Sequence, residues 1–291
     1  MDDWWIASFS TLIDHNRIGY RGDNVFFEKF SEERQTHQSE NRCASPLAAP
    51  WHHFPRGALA GTLLHDLLEW AAKQGFSSLL DKPLEWREAI ARRCHVRHWQ
   101  TWIDPLLTWL QHLLSKSITL PTGSVLCLGK LDTCLAEMEF WLTVPRVALV
   151  HLDACLSRHT LASHPRPPLH HNMLNGMLKG FIDLVFEHDG RYYVMDYKSN
   201  WLAPDDSGYD LPTLRQAMAE QRYDLQFALY LLALHRLLRV RLKNYDYDQH
   251  MGGICYWFLR GVDSPSAGIY HERPAKTFIE TLDNLLSEQT T

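Results

Sequence analysis

Apolar residues along the chain recur at two spacings, and each predicts its own kind of element. Leu63, Leu64, Leu67, Leu68 and Trp70 line one side of a helix predicted over 58–75. A second helical stretch, rich in tryptophan, runs over 83–117 and is predicted to break around Asp104-Pro105. A third covers 146–158 and a closing helix 274–287. A long one covers 210–241, with Leu225, Leu229, Leu232, Ala233 and Leu237 at helical spacing. Shorter runs have strand character. Trp4-Trp5-Ile6 predicts a short strand, and Gly252 to Leu259 a longer one. From Cys134 to Val144, Glu137 and Glu139 alternate with Met138 and Phe140. Ser163 to Pro168 and Ala203 to Gly208 predict loops.

The strongest local signal lies over 179–198. Gly180-Phe181-Ile182-Asp183-Leu184-Val185-Phe186 and Arg191-Tyr192-Tyr193-Val194-Met195-Asp196-Tyr197-Lys198 flank Asp189-Gly190, a pair that predicts a two-residue type I′ turn. With that turn closed, His188 pairs with Arg191, and counting back sets Asp183 opposite Asp196. Facing Cβ atoms in such a pair are roughly 5 Å apart. Two like charges that close, inside apolar strands, repel and are costly to desolvate. A divalent cation between them removes both penalties. Lys198 lies two residues past Asp196, so alternation puts its amine on the same face. Two acids, a lysine and a metal make a phosphodiester-hydrolysing centre. The competing structural reading has one acid satisfied by Lys198 and the other by a helix N-terminus. Both hairpin strands are apolar on both faces, which predicts central strands covered by helices on each side: an α/β fold of helix, sheet and helix layers.

Composition narrows the class. The 291 residues, 45% hydrophobic with 11 Trp, suffice for a large core. Residues 1–57 read as an irregular leader packing on that core, and 58–291 as the domain proper, a single domain overall. No apolar run approaches a bilayer span, and the start Met-Asp-Asp-Trp-Trp is acidic, so no membrane association and a cytoplasmic location are expected. Cys43, Cys94, Cys127, Cys134, Cys155 and Cys255 are scattered, which fits neither a zinc ribbon nor a disulfide framework. The net charge of −5 disfavours a broad basic DNA-holding surface. Arg236, Arg239, Arg241 and Lys243 form the best local basic patch, which serves equally as a solvated helix end.

Gly123 to Lys130 imitates a nucleotide-phosphate loop, but its second glycine comes one position late and Leu131 replaces the required Ser or Thr. No nucleotide site is expected. The 17 histidines show no zinc-protease spacing. Three further features are candidates to complete the metal centre. His65, four residues before Glu69, is either a ligand or a structural helix histidine; Glu137 is either a third carboxylate or an exposed strand residue. Gln226 and Tyr230, at i and i+4, either bind the substrate backbone or bond to each other on the helix surface.

Several segments resemble one family. Phe54-Pro55-Arg56-Gly57, Gly61-Thr62-Leu63-Leu64-His65, Glu137-Met138-Glu139-Phe140, Gly180 to Phe186, Asp196 to Leu202, Arg222-Tyr223-Asp224-Leu225-Gln226 and Phe258-Leu259-Arg260-Gly261-Val262 look, in this order, like the C-terminal nuclease domain of RecB, the beta subunit of exodeoxyribonuclease V. The resemblance spans roughly 4–285. It implies a restriction-endonuclease-like PD-(D/E)XK core, a central mixed sheet flanked by helices with additional N-terminal helices, so that 58–291 is the nuclease domain. It implies Mg2+-dependent DNA cleavage, with Mn2+ or Ca2+ able to occupy the site, in double-strand break repair and degradation of linear DNA. By motif, His65, Asp183, Asp196 and the Tyr197 carbonyl hold the metal, and Asp183, Asp196 and Lys198 carry the chemistry. Glu137 better matches an additional acidic position, with Glu139 the alternative, and Gln226 and Tyr230 match a substrate-binding motif. Implied partners are DNA, preferably single-stranded, with the RecC and RecD subunits and RecA. Ile182 stands where the family name has proline, and no cysteine set matches the iron–sulfur cluster of some relatives. A reading from another class is a non-catalytic docking module for helicase subunits or RecA.

Overall fold

The Asp189-Gly190 turn closes as its sequence predicts, with φ of 52° and 74° at the two residues and His188 opposite Arg191. It belongs to a computed structural model describing residues 5–7, 43–161, 164–169 and 173–287. The turn joins β5 (Met173–His188) to β6 (Arg191–Lys198). Around them lie β1 (Trp5–Ala7), the long β4 (Cys134–Ala148), β7 (Met251–Phe258) and β8 (Ile269–Glu272) in one six-stranded mixed sheet. A two-stranded hairpin, β2 (Ser117–Thr119) with β3 (Val125–Cys127), stands apart.

β5 organises the sheet. Along one edge it pairs antiparallel with β4, from Met173 to Phe186. Its other edge is shared. β1 runs parallel to Gly176, Met177 and Leu178, whereas β6 pairs antiparallel only from Leu184 to His188. Residues 179–183 lie between these two partners, so the sheet forks there. β6 turns away to pair in parallel with β7, with Asp196 aligned on Tyr256 and Lys198 on Phe258.

The helices form a layer on each side. Over one face, α1 (Ala58–Gln74), α2 (Pro83–Val96) and α3 (Ile103–Ser115) pack on Leu184, Phe186, Tyr193, Met195, Tyr197 and Trp257. Over the other, α4 (Leu149–His159), α5 (Leu211–Glu220), α6 (Tyr223–Arg241) and α7 (Lys276–Leu285) pack on Ile182, Val185, Val194, Tyr256 and Phe258. Ile182 and Leu184 therefore sit in different cores although they are two positions apart. β4 makes the same exchange. Met138, Leu142 and Val144 belong to the α6 side, while Cys134 and Ala136 pack on the α1 side. Both strands change faces at neighbouring residues, Asp183 and Glu137, and Glu137 has a left-handed φ of 52°.

Several boundaries differ from the sequence reading. The break in 83–117 falls at 97–99, with φ of 58° at His98. Pro105 instead sits in the first turn of α3, where a missing N–H costs nothing. The stretch 210–241 is two helices, separated by Arg222 at φ 55°. β4 extends to Ala148, so α4 starts at Leu149 rather than 146. The β2–β3 hairpin and β8 were not expected. Gly123 serves the β2–β3 connection at φ 86°, and Leu128–Lys130 is a single 3-10 turn. Most of the leader 1–57, including Trp4, lies outside the described residues; Pro50–His53 within it is a short helix. No helix among the described residues is long and apolar enough to cross a membrane.

Candidate active site

The expected site residues gather at the fork. Pairing between β5 and β6 stops at Leu184 opposite Met195, so Asp183 and Asp196 are in register but one step past the last rung. Freed from the ladder, the Tyr197 amide donates to Asp183 Oδ2 at 2.8 Å. The other oxygen, Oδ1, stands 3.3 Å from His65 Nδ1. His65 reaches it because α1 passes close to the end of β6: a Cβ on Gly61, one turn earlier, would lie 3.1 Å from Ser199 Oγ. The His65 ring also meets the Tyr197 ring edge-on at 6.1 Å.

Asp196 and Lys198 alternate onto the α6 side and are both buried. Lys198 Nζ stands 2.8 Å from Asp196 Oδ2 and donates to Gln226 Oε1 at 3.1 Å. The ammonium lies 4.0 Å from the centre of the Tyr223 ring. Gln226 Oε1 also accepts from the Tyr256 hydroxyl at 2.9 Å, and Gln226 Nε2 donates to the Tyr230 hydroxyl at 2.9 Å. Gln226 and Tyr230, expected to contact substrate, thus spend these hydrogen bonds inside the protein, on Lys198 and its surroundings.

Electrostatics follow from this packing. Burial pushes the Asp196 carboxyl up, Lys198 opposes it and Asp183 adds to it, leaving Asp196 raised to about 6. Burial would lower the Lys198 amine, but Asp196, Tyr223 and Asp183 more than compensate, so it stays charged well beyond neutral pH. His65 is likewise lifted against burial, chiefly by Asp183, to about 9. Asp183 is held below the usual carboxylate range despite burial, by His65 and the Tyr197 N–H.

Glu137 and Glu139 part company. The left-handed backbone at Glu137 breaks the alternation that would set both on one side. Glu137 is partly buried and adds to the field of Asp196 and Asp183 on the buried Tyr230 phenol. Glu139 is exposed, paired with Lys179 at 2.9 Å and accepting from Trp141 Nε1 at 2.6 Å.

Residues 47–290 match the PD-(D/E)XK nuclease superfamily. The chain belongs to that superfamily. Among curated proteins it is 42% identical to the RecBCD enzyme subunit RecB of Escherichia coli K12, over 84% of this chain and 20% of that protein. It is 31% identical to the Haemophilus influenzae RecB, over 97% of this chain and 24% of that protein, and 31% identical to the Mycobacterium tuberculosis RecB, over 83% and 24%. The chain spans between a fifth and a quarter of the length of these relatives.

PD-(D/E)XK nucleases use divalent metals, and the donors at the fork suit one. Among the described residues no three His, Cys, Asp or Glu side chains form a ready-made metal cluster. Asp183 is drawn to His65 and Asp196 to Lys198 instead. Asp196 Oδ2 is buried, with the Lys198 ammonium 2.8 Å away. Two carboxylates and an imidazole at the fork are donors that suit a divalent cation.

Two supports of this candidate site escaped the sequence reading of individual residues. Arg260, fully buried, donates to the carbonyls of Ser199 at 2.9 Å, Trp51 at 2.5 Å, Phe54 at 3.1 Å and Pro55 at 2.7 Å. It ties the chain just after Lys198 to the segment leading into α1, and so to His65. Arg222, at the break before α6, donates to Asp224, Asp153 and the Pro167 carbonyl, and Arg166 donates to Asp224 from the other side. This network fixes the start of the helix that carries Gln226. The available signal was an arginine inside the otherwise apolar run Phe258-Leu259-Arg260.

Proposed function

We propose that the chain is a metal-dependent deoxyribonuclease of the exodeoxyribonuclease V type, hydrolysing phosphodiesters with Mg2+ held by Asp183, Asp196, His65 and the Tyr197 carbonyl. One observation carries the reading: Asp183 and Asp196 meet just past the end of their shared ladder, with the buried Lys198 ammonium 2.8 Å from Asp196. When bound, a divalent cation there supplies Lewis acidity toward a phosphoryl oxygen and a more acidic water.

The chain's own groups do the rest. Lys198, kept charged by Asp196, stabilises the negative charge that builds on the phosphate and orients the attacking water. Gln226 holds the lysine from the other side. Asp183 is fixed at Oδ2 by the Tyr197 amide, and its Oδ1 lies beside His65. The recessed position between two strands favours a flexible single strand over a stiff duplex. Likeness to a RecBCD subunit supports a place as the nuclease module of such an assembly, working in the cytoplasm on linear DNA in double-strand break repair. RecC, RecD and RecA are the partners that this likeness suggests.

The test is cleavage of end-labelled single-stranded DNA by the purified chain. Cleavage that needs Mg2+ or Mn2+ and stops with chelator is expected. A chain that neither binds Mg2+ or Ca2+ by calorimetry nor nicks DNA would instead be a docking module.

A further inference from the structure

Gln226 can serve Lys198 only in one orientation. An ammonium offers donors alone, so the amide must present Oε1 to it; turned over, the amide would set its own NH2 against the positive charge. The charge on Lys198 selects that orientation through the 3.1 Å bond, but Lys198 is also the group being positioned, so something else has to hold Oε1 in place.

Tyr256 supplies an independent constraint. It lies on β7 in register with Asp196, its side chain is fully buried, and its hydroxyl donates to the same Gln226 Oε1 at 2.9 Å. Its ring is fixed by Tyr223 at 5.6 Å and by the edge of Phe227 at 6.4 Å, so the hydroxyl has little freedom to follow a turning amide. On the amide's other side, Nε2 donates to Tyr230. A tyrosine hydroxyl can donate or accept, so neither Tyr230 nor Tyr256 selects the orientation; the ammonium does that. Tyr256, with its ring fixed and its hydroxyl on the same atom that faces the charge, sets where Oε1 sits.

We propose that Tyr256 is a positioning residue for Lys198, its hydroxyl anchoring Gln226 Oε1 at the place where it meets the ammonium. It touches no reacting group. Its effect is to keep the ammonium beside Asp196 rather than letting it swing with the amide. This rests on the hydrolytic reading of the site, and it adds a residue from a strand that contributes no ligand and no general acid or base.

Tyr256→Phe removes the hydroxyl and keeps the ring packing, and Oε1 retains Lys198 as a donor. With the purified chain, Mg2+ and a single-stranded oligonucleotide, Tyr256→Phe should lower kcat about 10- to 100-fold, as small displacements of a reacting constellation do. KM should stay within about twofold, and Ca2+ affinity unchanged, because neither strand binding nor the metal donors involve the phenol. A role in folding alone would lower the melting temperature and leave kcat per folded molecule unchanged, and that result overturns the proposal. Lys198→Ala run beside it separates the two levels: if Lys198→Ala keeps full activity the hydrolytic reading itself fails, whereas a dead Lys198→Ala with a normal Tyr256→Phe removes only the role of Tyr256. A measurement on the unaltered chain does not depend on the variant folding. The Gln226 side-chain amide should give a single pair of 15N-resolved proton signals, and two interconverting pairs, the mark of an amide that moves, would contradict the anchor.

Discussion

Ile182 and Leu184 flank Asp183 on one strand and lie in opposite cores, both with no exposed surface. A regular strand would send these two side chains to the same face. The exchange at Asp183, matched by the one at Glu137, turns the strand so that its acid faces the gap between β5 and β6. Alanine at either position should cost about 2–5 kcal/mol in denaturant unfolding. Because the sheet separates them, the double variant should be additive within about 0.5 kcal/mol. A clearly larger coupling would mean that the two side chains share one cavity.

The His65–Asp183 pair makes metal-free stability depend on pH. The folded protein holds the His65 proton up to about 9, above the ordinary histidine value of 6.5, so it binds more protons than the unfolded chain across that window. Stability must fall as pH rises there. Urea unfolding in chelator between pH 6 and 10, on the order of ten points, should show the loss begin near the ordinary histidine value and finish just past the raised one. His65→Ala should flatten that segment. A His65→Ala curve parallel to the parent would remove the pair from the account.

Arg260 should be irreplaceable. Arg260→Lys keeps a charge but cannot reach carbonyls on Ser199, Trp51, Phe54 and Pro55 with one fork. Leaving buried acceptors unmet costs about 1–3 kcal/mol each before relaxation, so a loss above roughly 2 kcal/mol is expected in denaturant titration. The lysine variant should also bind Ca2+ more weakly, since His65 and the strand end would no longer be held together. Parental stability in Arg260→Lys would show that the clamp is incidental.

Much of this arrangement is legible in the sequence. The hairpin is local, so Asp189-Gly190 and the count from it placed Asp183, Asp196 and Lys198 together. Helix α1 followed from its leucine spacing. Other features depend on distant partners. Arg260 meets carbonyls 205 to 209 positions earlier in the chain, which no local pattern encodes. The break before α6 needs a left-handed arginine, which ion pairs to Asp153 and Asp224 hold in place. Nor does residue type announce the left-handed Glu137, so its separation from Glu139 was hidden.

The isolated chain should hold DNA loosely. Its net charge is −5, and two of the four cations in the best basic patch are already engaged: Arg236 and Arg239 pair with Asp283 at 2.6 and 3.0 Å. Few phosphates can then be neutralised, and few counterions released. Product lengths measured with an unlabelled DNA trap should show slow, distributive cutting. Long processive digestion after trap addition, without ATP or other subunits, would contradict this.

The central claim is that the Asp183, Asp196 and Lys198 cluster cleaves DNA, and single-turnover cleavage of a labelled single-stranded oligonucleotide by the parent and by Lys198→Ala, in Mg2+, tests it most directly. The account predicts a loss of about 10²- to 10³-fold or more in Lys198→Ala, with its fold and Ca2+ binding retained. Equal rates in the two proteins would contradict it.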